Sequence, residues 1–225
     1  MYKEIKTLKS GITVTIACYS DFLVLRKREP IMDVQVKSCD GITLMPIETK
    51  LLSDRKIFLE GEIDSESACE FVKKLLYLCL EDSEQPIDIM INSVGGGIQS
   101  GLFIYDTLQS CRTPLRMFYM GTAFSMAAVI FTSGKTRYMF PNSELMLHEP
   151  LISNGLGGSA SSVRSVSDSL LESKDKINRI LSKHTGKTPE EIEEATRFDH
   201  YFSPEEAIRF GLADEIIGFE KMLEV

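Results

Sequence analysis

The residues best suited to chemistry begin with a serine placed among small side chains. In residues 121–128, Gly-Thr-Ala-Phe-Ser-Met-Ala-Ala, the chain can pass tightly from a predicted strand into a helix whose first turn holds Ser125. The N–H groups at a helix start have no intrahelical partner, and the helix dipole there favours negative charge. Ser125 is therefore a candidate nucleophile. Serine is also a common helix N-cap, so this segment alone leaves a purely structural role open.

A second candidate segment is rich in glycine and ends another predicted strand. Residues 93–97 read Ser-Val-Gly-Gly-Gly. Glycines at the carboxyl end of a parallel strand let a ligand approach the backbone, and their N–H groups could form half of an oxyanion hole. A phosphate-binding loop is an alternative, although the lysine and Ser/Thr that should follow are missing. An ordinary turn is the third interpretation.

A histidine at the end of a further strand is the candidate base. His148 lies in residues 145–150, Leu-Met-Leu-His-Glu-Pro, and shares its strand-end position with the glycines and Ser125. We expect all three to meet at one edge of a sheet, where folds of this kind place their sites. For His184, at a predicted helix end, we expect an exposed or capping role. His200, which follows Asp199, remains open as an alternative base.

The elements that must position these residues alternate between strands and helices after about residue 50. Strand-like segments lie at 56–60, 87–92, 115–120, 137–140 and 144–148. Helices are predicted from residue 65 to 81 and from Ser125 to Gly134. A further helix is predicted after the glycine segment and ends near Ser110. This succession implies right-handed crossovers, a mainly parallel sheet and an α/β fold.

The remaining segments differ from this pattern. Residues 153–169 are rich in Gly and Ser, which indicates a loop or weakly held strand before a long amphipathic helix from Leu170. Capping boxes start at Thr188 and Ser203. Short β-rich runs precede residue 50, at 12–18, 22–27, 32–39 and 42–47, with a turn signal at Asp40-Gly41. We interpret residues 1–50 as a β-rich N-terminal extension and residues 51–225 as one domain.

Composition and charge argue against several classes of protein. The formal net charge of -8 and the lack of a basic face argue against nucleic-acid binding. No apolar run is long enough to span a membrane and no signal peptide is recognised, so we expect a cytoplasmic protein. The five scattered cysteines include no CxxC pair, which argues against a disulfide framework and against a zinc site.

Together these motifs resemble the proteolytic subunit of the Clp proteases, from about residue 51 to 218. INSVGGGIQSGLFIYDTL (91–108) is similar to the family's INSPGG segment, MGTAFSMAA (120–128) to its MGQAASMGA nucleophile segment, and PNSELMLHEP (141–150) to its PNSRVMIHQP segment. FDHYFSPEEAIRFGLAD (198–214) is similar to the segment that carries the third triad member. The chain order Ser, His, Asp also differs from that of α/β-hydrolases.

The resemblance implies a crotonase-like fold of repeated ββα units with a protruding handle helix, and a serine peptidase mechanism. Ser125 would attack the peptide carbonyl, His148 would transfer the proton, and Asp199 would orient the imidazole. The backbone N–H groups of Gly96 and Met126 would hold the oxyanion.

The resemblance also implies a substrate site and partners. Pro150 and Leu151 fall where the family begins its substrate-binding handle, which would span about residues 151–184. The subunit would need no cofactor. It would form a homo-oligomer of two stacked heptameric rings, and an AAA+ unfoldase that uses ATP would feed unfolded proteins into the chamber.

Several positions depart from the family pattern. Val94 replaces a proline, Ala127 a glycine and Glu149 a glutamine, while Asp88 and Met90 replace tyrosines in the strand that usually docks the unfoldase. The first 50 residues match poorly, and we hypothesise that they form a gate or partner-binding module. Two other functions remain open: a non-catalytic ring subunit that supports active paralogues, and a crotonase-fold acyl-CoA enzyme, which needs no nucleophilic serine here.

Overall fold

The computed structural model describes residues 3–7, 13–17, 32–38, 41–152 and 157–224. The chain divides into two compact units, residues 1–47 and 48–225. In the first unit, β1 (Lys3–Thr7) pairs antiparallel with β2 (Thr13–Ala17), and β3 (Asp33–Ser38) pairs antiparallel with β4 (Gly41–Pro46). The hairpin predicted from the Asp40-Gly41 turn signal is confirmed, while the strand expected at 22–27 lies outside the described residues.

A seven-stranded sheet forms the centre of the second unit. Its strands are β5 (Lys56–Ile63), β6 (Ile87–Gly96), β7 (Leu115–Phe124), β8 (Thr136–Met139), β9 (Glu144–Leu147), β10 (His200–Phe202) and β11 (Glu215–Ile216). The main path runs β10-β9-β7-β6-β5, and β8 pairs with β7 and β11. Only the β9–β10 pair is antiparallel, so the predicted mainly parallel sheet is confirmed.

Helices connect these strands as the α/β pattern predicts. They are α1 (Ile47–Ser53), α2 (Ser65–Glu81), α3 (Ile98–Ser110), α4 (Met126–Thr132), α5 (Ala160–Thr185), α6 (Pro189–Thr196), α7 (Pro204–Phe210) and α8 (Phe219–Glu224). The capping boxes at Thr188 and Ser203 are both present, each with a proline in the first turn. Local capping chemistry thus sets the starts of α6 and α7.

One helix boundary differs from the sequence-based expectation. The long helix α5 starts at Ala160, within the segment we expected to be a loop or strand. Residues 160–169 are all exposed, although Val163, Val166 and Leu170 recur at helical spacing. Ser159 starts the helix by accepting a hydrogen bond from the Ser162 N–H at 3.2 Å.

The main core lies between one face of the sheet and helices α2, α3 and α4. Alternate residues of β6 (Ile87, Ile89 and Ile91) are fully buried in it. Every residue of α4 is buried, as expected for a short central helix with apolar side chains on all sides. The residue that precedes α4 is therefore held by the best-packed part of the fold.

Candidate active site

Ser125 is the single residue between β7 and α4, and its backbone is strained. Its φ of 55° and ψ of -123° lie outside the regions that side chains favour. Among the described residues, only Arg55 and Ser125 combine a side chain with a positive φ. The Ser125 N–H donates to the Met146 carbonyl of β9 at 2.9 Å, which holds this conformation. Ser125 stands at the N-cap position of α4, but its side chain makes no capping hydrogen bond, so a structural capping role does not account for it.

Strand pairing brings the candidate base and acid to the same edge. β9 runs parallel to β7 with Phe124 opposite Met146, and His148 is the first residue after β9. β10 runs antiparallel to β9 with Leu147 opposite His200. Extending this register by one residue beyond the paired strands would set His148 opposite Asp199. The sheet thus gathers Ser125, His148 and Asp199 at one end of β7, β9 and β10.

The side chains of these three residues are not joined in this structure. Within the described residues, no hydrogen bond links Ser125, His148 and Asp199. Ser125 and His148 are half-buried, and Asp199 is exposed. Catalytic hydrogen bonds are often long in ligand-free enzymes and tighten with substrate, so the roles assigned to the three residues stay predictions.

The glycine segment contacts the serine turn through Gly95. A Cβ atom at Gly95 would lie 2.9 Å from Ser125 Cβ and 3.1 Å from Met126 N, which is too close for any side chain. Gly95 also has a φ of +87°. This close approach and positive φ explain why glycine is required, beyond the needs of an ordinary turn.

The other two glycines face the end of β5. Gly96 has a φ of +151°, and a Cβ there would lie 2.7 Å from Ile63 N. The Gly97 N–H donates to the Ile63 carbonyl at 2.7 Å. The segment therefore lies between β5 and the Ser125 turn. The oxyanion-hole roles of the Gly96 and Met126 N–H groups stay predictions.

Ser93 fixes the glycine segment, a role that the sequence did not reveal. Its side chain is buried; the hydroxyl donates to the Gly61 carbonyl at 2.6 Å and accepts from the Gly95 N–H at 3.1 Å. The motif in residues 93–97 drew attention to its glycines, whereas the partner on β5 becomes visible only in the fold.

The two other histidines have partners away from this cluster. His200 is exposed, its Nδ1 lies 3.2 Å from the Ala195 carbonyl oxygen, and its ring stacks on Phe202. His184 is half-buried, with Nε2 3.1 Å from the Tyr105 hydroxyl, so the expected exposed or capping role was wrong. Burial, with Lys183 and Arg137 nearby, lowers the pKa of His184 to about 4.

The comparison with protein families decides the class of this fold. The family model described as Clp protease matches residues 41–220. The chain belongs to the Clp protease family. The resemblance inferred from the sequence motifs is confirmed, and so is the α/β fold. The family is one of cofactor-independent peptidases that generally form rings with Clp ATPases.

One departure from the Clp protease pattern creates a charge network beside His148. The Glu149 carboxylate pairs with Lys174 of α5 at 2.9 Å, and Lys174 also pairs with Glu193 of α6 at 2.9 Å. Hydrogen bonding to Glu149, and then to Glu193, raises the pKa of Lys174. The Glu149 N–H donates to the Thr196 carbonyl at 2.6 Å. The residue after the candidate base is thus tied to two helices.

The predicted substrate-binding segment is only partly described. Pro150 is half-buried, and the Leu151 side chain is 58% exposed. Residues 150–152 form no strand, and residues 153–156, also in the expected handle, lie outside the described residues. The end of β9 at Leu147 leaves this stretch without a ladder partner among the described residues.

The two departures in the expected docking strand differ in character. Asp88 is buried in ion pairs with Lys56 of β5 at 2.9 Å and Arg116 of β7 at 2.6 Å. Met90 instead packs in a small apolar cluster with Phe118, Ile217 and Met222, the last from α8. The positions expected to hold tyrosines therefore carry a buried charge and a covered methionine.

The described residues offer no alternative centre based on a metal. Within them, no group of three or more His, Cys, Asp or Glu side chains is placed to hold an ion. No helix in the described part of the chain is long and apolar enough to cross a membrane.

Proposed function

We propose that this protein is a serine endopeptidase subunit with Ser125, His148 and Asp199 as its triad. The observation that carries the proposal is the backbone of Ser125, strained at φ 55° and fixed by the Met146 carbonyl, with no capping role for its hydroxyl. Backbone strain of this kind costs about 1–3 kcal/mol and persists where function needs it. A tight strand-to-helix turn presents a serine hydroxyl to substrate, as in other serine hydrolases.

The proposed reaction is acyl transfer. Ser125 Oγ attacks the carbonyl carbon of a peptide bond while His148 accepts the hydroxyl proton. His148 then gives this proton to the leaving amine, and an ester forms on Ser125. A water molecule, deprotonated by His148, hydrolyses the ester and restores the serine. Asp199 orients the imidazole and stabilises its charged form.

Backbone donors would stabilise the negative oxygen that forms during attack. Met126 is the first residue of α4, so its N–H has no partner within the helix. We assign the Met126 N–H and the Gly96 N–H to the oxyanion hole, each contributing about 3 kcal/mol. The exposed Leu151, together with Pro150, would contact the substrate chain beside His148.

We further propose a chambered assembly of two stacked heptameric rings, which acts in the cytoplasm on unfolded polypeptides. An AAA+ unfoldase of the Clp type would supply them and use the ATP. Membership of the Clp protease family supports ring assembly with such ATPases. Residues 1–50 would act as a gate or partner-binding module, and residues 51–225 as the peptidase domain. A variant lacking residues 1–48 should then change assembly or unfoldase-dependent proteolysis, and unchanged behaviour in both assays would refute this role.

Labelling with a serine-reactive fluorophosphonate tests the chemistry. We expect one adduct by intact mass, located on Ser125 by peptide mapping and lost in Ser125→Ala and His148→Ala. The altered residues beside the nucleophile and the base, Ala127 and Glu149, favour one rival, a non-catalytic ring subunit. No adduct on protein shown by light scattering to be assembled would support that rival. No adduct together with acyl-CoA binding would support a crotonase-type enzyme, and a stable monomer would contradict the chamber.

A further inference from the structure

Two cysteine thiols meet where helices α2 and α3 end. Cys79 lies in the last turn of α2, and Cys111 is the first residue after α3. Their Sγ atoms are 3.2 Å apart, and both residues are half-buried. A disulfide needs about 2.05 Å between its sulfurs, so the two atoms must come closer by about 1.2 Å.

We propose that Cys79 and Cys111 are a redox-active pair that a hydroperoxide oxidises to an intramolecular disulfide. One thiolate attacks a peroxide oxygen, the O–O bond breaks, and a sulfenic acid and an alcohol (or water) form. The second thiol then attacks the sulfenic sulfur, the S–O bond breaks, and water leaves. The two sulfurs lose two electrons, which reduce the peroxide.

A pocket gives a small oxidant access to Cys111, one thiol of the pair. It has a volume of about 170 Å³ and is lined by Cys111 and by polar side chains that include Thr113, Ser133 and Lys135. One water occupies about 30 Å³ of liquid, so the pocket has room for a peroxide of similar size. Thr113 also holds the thiols, because its hydroxyl donates to Cys79 Sγ at 3.5 Å.

Burial and the neighbouring Cys79 raise the pKa of the Cys111 thiol. Since the thiolate is the reactive form, the raised pKa should slow the reaction of the pair at neutral pH. The disulfide would enclose all of β6 and the glycine segment at residues 93–97. It would therefore restrain the segment that contacts the Ser125 turn and raise the melting temperature by limiting the unfolded chain.

The test uses reduced full-length protein treated with hydrogen peroxide, followed by alkylation and peptide mass mapping. We expect a loss of about 2 Da, linked Cys79 and Cys111 peptides that dithiothreitol separates, and a rise in Tm of about 5 °C or more. Cys79→Ser and Cys111→Ser should abolish both effects. Cys69→Ser is the matched control, because Cys69 is exposed and apart from the pair, and it should behave as wild type.

Three results would overturn the proposal. The first is that both thiols stay alkylatable at a peroxide concentration that oxidises Cys69. The second is that Cys79 and Cys111 become separate sulfinic acids. The third is that either one links instead to Cys18 or Cys39. Mass and melting temperature do not depend on peptidase activity, so this test is independent of the proposed function.

Discussion

Replacing Gly95 by alanine tests whether the glycine segment positions the candidate nucleophile. The new Cβ would lie 2.9 Å from Ser125 Cβ and 3.1 Å from Met126 N. Ordinary van der Waals contacts begin at 3.4 Å, so the Ser125 Cβ atom must move by about 0.5 Å. The Phe124 carbonyl oxygen is closer still to the new Cβ and must move further. These are mainly backbone atoms at the buried start of α4, so they cannot yield by rotating a side chain.

The magnitude follows from this displacement. Misplacing a reacting group by 1 Å costs about 100-fold in rate, so a shift of about half that distance or more should lower kcat roughly 10- to 100-fold. The positive φ at Gly95 adds about 1–2 kcal/mol of strain for alanine. At about 2–4 °C per kcal/mol for a domain of this size, Tm should fall by roughly 2–8 °C.

Gly97→Ala is the matched control, because the nearest atom to its Cβ is 3.5 Å away and its φ is an ordinary -61°. Hydrolysis of a fluorogenic peptide and fluorophosphonate labelling of Ser125 should be reduced in Gly95→Ala and nearly normal in Gly97→Ala. Melting curves would show whether both variants fold. If folded Gly95→Ala hydrolysed peptide as fast as Gly97→Ala, the reasoning that the glycine segment sets the position of Ser125 would be wrong.

Three further predictions concern other parts of the domain. Lys174→Met should lower kcat several-fold with little change in KM, because the Glu149 and Glu193 carboxylates would then repel each other and displace the residue that follows His148. Lys174→Arg should restore the rate. Equal activity of both variants would contradict a positioning role. His184 has a pKa of about 4 in the folded protein, below its ordinary value of 6.5. As pH falls, the unfolded state therefore binds a proton at His184 before the folded state does, and the free energy of unfolding decreases between pH 6.5 and 4. After discounting for partial exposure, we expect a loss of about 1–2 kcal/mol, which denaturant melts at both pH values would detect and which His184→Gln should abolish. Arg55 is buried and donates to carbonyls at the end of α2 and in the following turn, so Arg55→Met should destabilise the domain by about 3 kcal/mol. The exposed Arg112→Met is the control. A Tm of Arg55→Met within about 2 °C of wild type would contradict this prediction.

The features predicted from sequence are those that local chemistry determines. Capping residues set the starts of α6 and α7, and the apolar residues of β6 identified it as a buried parallel strand. The small residues around Ser125 likewise predict the tight turn before α4. In each case the information lies within a few neighbouring residues, so no knowledge of the fold was needed.

The features that were missed depend on residues far apart in the chain. β10 is only three residues long and is a strand because it pairs with β9. No local sequence pattern indicates this pairing. The network around Lys174 joins three separate elements, and the contact of Gly95 with Ser125 joins two. The early start of α5 was missed for a different reason, because the Gly- and Ser-rich composition of residues 153–169 hides the helical spacing of Val163, Val166 and Leu170.

The pairing of β10 at the sheet edge has a consequence for the energetics of the candidate site. β10 has β9 as its single ladder partner within the described residues, and of its three residues only Phe202 is buried in the main core, whereas every residue of α4 after the serine turn is buried. Short edge elements open locally at a free-energy cost far below that of global unfolding. The segment carrying Asp199 should therefore exchange its amide hydrogens well before those of α4 do. Opening of β10 would move Asp199 away from His148 while Ser125 stays in place, so under the proposed triad a local equilibrium would set the assembled fraction of the site.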